Sequence, residues 1–360
     1  MNVFFYVQHL LGIGHLKRAA TLARALERGG FEVTLASGGL PVEGIPVLQL
    51  PPASSDASLK RLLDENGNPV DDAWKKRRTA ALLESYAASK ARILLIELFP
   101  FGRRQMRFEL LPLLEAAKGT ALIICSVRDL IQPRPAREDE MLECFDHYFD
   151  RLLVHGDPQV VGFERSFSKT SRLAGRLHYT GYVVQEQSMK GDAGSGEVLV
   201  SAGGGAVGRR LLETAVAARA HSGLRDRTWR VLAGLHARGT ESLKGEGVIV
   251  ERFRNDFTLR LRNCVLSVSQ AGYNTVLETL QAGARALLVP FAGEGEAEQT
   301  LRATLLAERG LLEVLEEASL SPRALAAAID RAAARPRPAP GAVDFGGARR
   351  SAELLREWLK

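Results

Sequence analysis

Short apolar runs alternate with segments of helical period along most of this chain. Residues 3–7 are uninterruptedly apolar, the signature of a strand buried on both faces. A Gly12-Ile13-Gly14 turn follows. From His15 to Arg28 the apolar positions Leu16, Ala19, Ala20, Ala23 and Leu26 recur at helical spacing. Gly29-Gly30 stops that helix, and 31–36 reads as a second strand. The stretches 93–96, 121–125 and 152–154 are three further buried-strand candidates. Strands alternating with helices predict a parallel sheet, with ligands expected beyond the carboxyl ends of its strands.

Between 185 and 197 the composition shifts to Gln, Ser, Gly, Asp and Lys, the best linker in the chain. The pattern then restarts with a strand at 198–201, the Gly203-Gly204-Gly205 turn and a helix at 209–219. Further strands are predicted at 229–232, 248–251, 264–267 and 286–289, and a helix at 275–280. A Pro-rich stretch at 336–340 precedes a last helix at 348–358. The expected organisation is a first domain at 1–184, a linker at 185–197, a second domain at 198–340 and a C-terminal helix within 341–360. Two sequential α/β domains leave the cleft between them as the expected place for a large ligand.

Composition changes this picture little. Hydrophobic residues at 46% and charged residues at 25% are ordinary globular values. The N-terminus has no basic leader before its first apolar run, and no run approaches membrane-spanning length, so the expected location is cytoplasmic. Cys125, Cys144 and Cys264 show no CxxC spacing, which fits a reducing compartment and argues against a zinc site. The net charge of +6 includes Lys75-Lys76-Arg77-Arg78 and Arg103-Arg104 with Arg107. Near Phe99, Phe101, Phe108, Leu110 and Leu111, these allow peripheral contact with an anionic membrane face or an acidic substrate; the plainer reading is solvated helix surface. No nucleic-acid-binding motif accompanies the charge.

Five features carry candidate chemistry. Ser269-Gln-Ala-Gly-Tyr-Asn-Thr-Val-Leu-Glu278 reads as a strand end, a Gly turn and a helix start, a junction that offers unpaired N–H groups to a diphosphate. Glu278, three residues after Thr275, suits ribose hydroxyls; alternatively the two form a helix-capping box. His15 opens the first helix where a general base would be useful, or it merely caps or packs. Glu97 at the tip of a buried strand would orient His15, or pair with Arg103 or Arg104. Gly203 to Gly205 could turn backbone N–H groups around a phosphate. After the strand ending at Val289, Glu298 and Gln299 offer acceptors for sugar hydroxyls, whereas Glu294 and Glu296 read as surface. No Asp-x-Asp pair signals a metal-bridged diphosphate, and Glu138-Asp139-Glu140 reads as an acidic surface loop.

In this order, these features resemble the inverting GT-B-fold glycosyltransferases. The resemblance is to family 28, typified by the peptidoglycan lipid-intermediate N-acetylglucosaminyltransferase, and to a bacterial group described as predicted glycosyl transferases. It implies two Rossmann-like domains facing across a cleft, with the C-terminal helix packing back toward the first. Gly12, Gly14 and His15 match an acceptor-side loop, with His15 and Glu97 as the catalytic pair. Gly203, Gly204, Gly205, Gly272, Asn274 and Thr275 match the diphosphate site. Phe253, Arg254 and Glu278 match nucleoside contacts, and Glu298 with Gln299 the donor-sugar pair. The implied activity moves a hexosyl unit from a nucleotide diphosphate sugar, UDP-linked by resemblance, to an acceptor hydroxyl on a lipid or envelope glycan, with no metal or cofactor. A nucleotide-sugar 2-epimerase of the same fold and a non-catalytic nucleotide-sugar-binding protein are the alternatives. Three positions depart from the family pattern: Gly204 where relatives often carry Ser, Gln270 where His or Arg is common, and Glu97 where the wider superfamily of small-molecule glycosyltransferases often has Asp, which lengthens the dyad by one methylene.

Overall fold

The computed structural model describes residues 1–10, 12–56, 61–185, 190–202, 208–234, 243–293 and 297–359. The chain divides into two compact units, Met1–Gln185 with Asp344–Lys360, and Glu186–Val343.

In the first unit the strands are β1 (Asn2–Val7), β2 (Glu32–Ser37), β3 (Leu48–Gln49), β4 (Ser54–Ser55), β5 (Leu62–Leu63), β6 (Ile93–Glu97), β7 (Leu122–Arg128), β8 (Arg151–His155) and β9 (Leu177–Tyr179). Its helices are α1 (Gly14–Arg28), α2 (Asp72–Ser89), α3 (Arg107–Ala117) and α4 (Glu138–Tyr148). Among the described residues, seven strands form one sheet in the order β3-β2-β1-β6-β7-β8-β9, with every pairing parallel, while β4 and β5 make a small hairpin. The central strands are apolar over most of their length because both faces are covered, with polar residues near their ends. Phe4, Tyr6, Leu94 and Ile96 pack on one side with α2, α3 and α4, while Val3, Phe5, Val7, Ile93 and Leu95 pack on the other with α1.

The second unit contains β10 (Val198–Ser201), β11 (Trp229–Leu232), β12 (Val248–Glu251), β13 (Leu266–Ser269), β14 (Ala286–Leu288) and β15 (Glu313–Val314). Its helices are α5 (Arg209–Ala218), α6 (Phe257–Asn263), α7 (Tyr273–Gln281), α8 (Glu298–Glu308) and α9 (Pro322–Ala334). The strand order is β12-β11-β10-β13-β14-β15, again wholly parallel. Each sheet therefore reverses its winding once, between β1 and β6 in the first unit and between β10 and β13 in the second. Such reversal points open a crevice at the carboxyl ends of the strands.

The last helix, α10 (Gly347–Glu357), belongs to the first unit, where it packs on α1. Arg356 donates from Nε and Nη2 to the Gly29 carbonyl at 2.8 and 2.6 Å. Close approach fixes Gly347: an added Cβ would stand 2.2 Å from the Gly181 carbonyl oxygen. The expected linker is only partly free of structure, since Asn263 donates to the carbonyls of Gly191 and Ala193 at 3.0 Å each.

Three expectations are corrected. Arg78 is not solvated surface. It shares the buried α2 stripe with Trp74, Leu82 and Tyr86, a four-residue repeat, and is fully enclosed. Its Nε meets Glu109 at 2.8 Å, and it donates to Gln8 Oε1 at 2.9 Å and to the Gly38 carbonyl at 3.0 Å. Phe99, Phe101 and Leu110 lie in the core, so they do not form a membrane-facing apolar patch. Glu138-Asp139-Glu140 is the first turn of α4 rather than a loop, where the helix dipole favours acids. No helix among the described residues is long and apolar enough to cross a membrane.

Candidate functional site

At the reversal point of the first unit, β1 runs parallel to β6, and the two strand ends bring His15 and Glu97 together. His15 is the second residue of α1, and Glu97 is the last residue of β6. His15 Nδ1 lies 2.7 Å from Glu97 Oε1. A third residue, which the sequence reading missed, completes the arrangement. Arg18 lies on the same α1 face three residues on and donates to the same carboxylate oxygen. Its position inside the buried apolar stripe of α1 was the available signal. Arg18 therefore takes the ion-pair role suggested for Arg103 or Arg104. Arg103 donates instead from Nε to the Gln8 carbonyl at 2.7 Å, and Arg104 faces Glu140 at 3.5 Å.

Burial disfavours the charged imidazole and holds the His15 pKa down to about 4, against the opposing pull of Glu97. Burial pushes Glu97 upward, but His15, through its charge when protonated and its hydrogen bond, and then Arg18 and Arg103 outweigh it and hold the carboxyl at about 2. At neutral pH an ionised Glu97 can only accept, so Nδ1 carries the His15 proton and Nε2 presents a lone pair. This is the tautomer a general base needs.

Behind the pair runs a second polar row. Ser126 pairs in register with Glu97, and its hydroxyl lies 2.8 Å from His155 Nε2. His155 Nδ1 contacts Thr180 Oγ1 at 2.9 Å, and that hydroxyl donates onward to the Gly181 carbonyl at 2.8 Å. Thr180 must therefore accept from Nδ1–H, leaving Nε2 to accept from Ser126. Burial, helped by the Arg18 charge, lowers the His155 pKa to about 3. Gly12 borders open space, since no atom lies within 4 Å of where its Cβ would be.

At the reversal point of the second unit, β13 leads through Gln270 and Gly272 into α7. The helix begins at Tyr273, two residues earlier than the periodicity predicts, with Gly272 as N-cap. That start places Thr275 inside the first turn, so the Thr275–Glu278 capping box does not form, and no side chain caps the helix among the described residues. The Thr275 carbonyl instead accepts from Thr279 Oγ1 at 2.7 Å. Asn274 is exposed, Thr275 and Glu278 are half-buried, and the space beside Gly272 is empty to 4 Å. First-turn N–H groups thus meet an open approach, the usual setting for an anion.

Gly203, Gly204 and Gly205 lie outside the described residues, as do Glu294 and Glu296. Just beyond the first of these gaps, Gly208 enters α5 at φ 131°, and a Cβ there would come within 2.6 Å of Ala202 Cβ, so only glycine fits. Ser201 and Ser269, paired in register at the ends of β10 and β13, keep buried hydroxyls with no hydrogen-bond partner among the described residues.

Phe253 is 55% exposed after the end of β12. Beside it, Arg254 grips both carboxylate oxygens of Asp256 at 2.9 Å and reaches Glu251 at 3.3 Å. These contacts belong to a closed ring of alternating charge: Glu251, Arg254, Asp256, Arg260, Glu197 and Arg230, which returns to Glu251 at 2.8 Å. The Arg254 side chain is therefore held within the unit, and the ring braces the segment that presents Phe253. Glu298 is buried and pairs with Arg302 at 2.6 Å, and the Arg302 guanidinium lies 5.0 Å from the centre of the Tyr273 ring. Gln299 Oε1 accepts from the Phe291 N–H at 3.3 Å. Of the proposed sugar-side pair, Glu298 is thereby linked through Arg302 to the start of α7, and Gln299 to the segment after β14.

Residues 233–342 match the glycosyltransferase family 28 C-terminal domain. Three solved structures share the fold over nearly the whole chain. One is the glycotransferase of kitacinnamycin, at 17% identity and a TM-score of 0.67, covering 100% of this chain and 99% of that one. Another is MurG of Acinetobacter baumannii, at 14% identity and 0.59, covering 99% of each. The third is the spinosyn rhamnosyltransferase SpnG complexed with thymidine diphosphate, at 15% identity and 0.64, covering 100% of each.

Proposed function

We infer that this chain, a GT-B glycosyltransferase whose second unit carries the family 28 C-terminal domain, transfers a hexosyl group from a nucleotide diphosphate sugar to an acceptor hydroxyl with inversion at the anomeric carbon. The observation that carries the reading is the His15–Glu97 contact of 2.7 Å at a strand-end reversal point, with burial keeping His15 neutral. His15 Nε2 takes the proton from the acceptor hydroxyl as its oxygen attacks. Nδ1–H stays bonded to Glu97, whose charge stabilises the imidazolium that forms. The acceptor oxygen forms its bond to the anomeric carbon as the bond to the diphosphate oxygen breaks, and attack opposite the leaving group inverts the centre.

The departing diphosphate takes its charge stabilisation from the N–H groups at the start of α7, with Gly272, Asn274 and Thr275 around it. Phe253 offers an aromatic face to the base, and Glu278 an acceptor to the ribose. Family resemblance favours a UDP-linked donor, while the related SpnG structure holds thymidine diphosphate. A half-buried base held by an ionised carboxylate favours catalysis over a purely binding role.

Thermal shift with UDP-, GDP- and TDP-sugars identifies the donor, because a ligand that binds only the folded state raises its stability. His15→Ala is then expected to keep the donor shift and lose transfer by about 10²- to 10⁴-fold. Undiminished transfer by that variant would remove His15 as the base. Epimerised sugar from UDP-N-acetylglucosamine incubated without acceptor would instead establish the 2-epimerase.

A further inference from the structure

The loop that leaves Glu97 opens into a cavity of about 420 Å³ that lies entirely within the first unit. Arg103, Arg104, Arg107, Arg134 and Arg137 line it, against Glu140 as the one acidic lining residue among the described residues. Glu140 contacts Arg107 and lies 3.5 Å from Arg104 and 3.8 Å from Arg137, so one carboxylate is shared among three guanidinium groups. The Arg104 side chain remains 62% exposed. Phe99 and Met141, both buried, supply an apolar floor. The wall between Glu97 and the arginines is strained: Leu98 and Arg103 are non-glycine residues in the left-handed region, at φ 71° and 57°. Arg103 is anchored to the Gln8 carbonyl, which directly follows β1.

An excess of guanidinium groups converging on a cavity matches the geometry and charge of phosphate oxygens. Its volume lies in the range of small-molecule sites and exceeds that of a bare ion. The apolar floor suits an adjoining carbon chain or ring. We propose that this cavity is the subsite for a phosphate-bearing acceptor, with Arg104, Arg107, Arg134 and Arg137 holding the phosphate one loop away from the His15–Glu97 pair. The proposal rests on the transferase reading for the word acceptor, but the anion subsite itself does not.

Two sources share this chemistry, a soluble phosphate ester and a lipid phosphate headgroup. Isothermal titration with glycerol 3-phosphate tests the first. Flotation with phosphatidylcholine vesicles, with and without phosphatidic acid, tests the second. Arg104→Gln/Arg134→Gln replaces two exposed side chains and is expected to weaken binding of whichever probe binds by about tenfold or more. Glu140→Gln removes the competing carboxylate and is expected to tighten it several-fold. Opposite changes in the two variants, with the UDP-sugar thermal shift unaltered, support the subsite. Binding of neither probe by the wild type, or binding that neither variant changes, overturns it. Phosphate binding with the expected variant pattern, but no nucleotide-sugar shift, leaves the subsite standing and removes the transfer reading alone.

Discussion

Replacing Glu97 with Gln separates what the carboxylate does for the fold from what it does for the reaction. In the wild type, Glu97 is 1% exposed and faces Arg18 at 4%. Removing the negative charge leaves the Arg18 guanidinium buried without its carboxylate partner, a change that typically costs about 3–5 kcal/mol. For a unit of this size, roughly 2–4 °C of Tm per kcal/mol makes the loss on the order of 10 °C. Gln keeps a carbonyl that can accept from His15 Nδ1–H, so the imidazole stays oriented. It carries no charge to stabilise the imidazolium, and kcat is expected to fall by about 10²- to 10⁴-fold with donor KM little changed. Adding Arg18→Met removes the buried cation that faced the carboxylate and is expected to recover much of the Tm without recovering kcat, because an apolar pair can replace a buried ion pair. Thermal denaturation and steady-state release of the nucleoside diphosphate measure the two effects. If Glu97→Gln turns over at the wild-type rate, or if kcat returns together with Tm in the double variant, Glu97 has no part in the chemistry.

Three further outcomes follow from the geometry. His15 and His155 have folded pKa values near 4 and 3, below the unfolded value of 6.5, so the unfolded chain binds more protons in that interval. Their contribution to stability is full above pH 6.5 and declines on acidification at up to roughly 1.4 kcal/mol per pH unit for each group. His155→Gln should therefore show a shallower Tm decline between pH 6.5 and 4, and parallel curves would contradict the buried neutral imidazole. Gly272→Ala adds a methyl group into open space at an ordinary φ of −61°, so stability should hold within about 0.5 kcal/mol while donor affinity falls about tenfold. Unchanged affinity by calorimetry would place the diphosphate elsewhere. Arg78→Leu leaves Glu109 buried without its cation and should lower unfolding free energy in urea by about 3–5 kcal/mol, whereas a loss below about 1 kcal/mol would refute the role of that pair.

The long central strands were legible because burial on both faces keeps most of their positions apolar. β10, β11 and β12 match the apolar runs to the residue, whereas the two-residue β3, β4, β5 and β15 are too short to leave a pattern. β13 begins at Leu266 rather than Cys264 because that cysteine caps α6 and packs in the core beside Leu261. The His15–Glu97 contact was readable from strand ends, since parallel pairing of β1 with β6 brings their termini side by side. Arg18 and Arg78 were passed over because charge is ordinarily read as surface, although each sits on the buried stripe of its helix. The ring through Arg254 and Arg260 is legible only in part: Glu251, Arg254, Asp256 and Arg260 fall within ten residues at helical or near-neighbour spacing, whereas Glu197 and Arg230 join from distant segments that nothing local connects to them.

Because α10 docks on α1, residues 344–357 complete a body whose other parts were synthesised before the whole second unit. A nascent chain must therefore hold the α1 surface around Gly29 and Ala352's docking site uncovered while some 150 intervening residues emerge. A premature stop soon after Val343 would spare the second unit yet remove α10 from the unit that carries His15, so damage at the far terminus would fall on the proposed base.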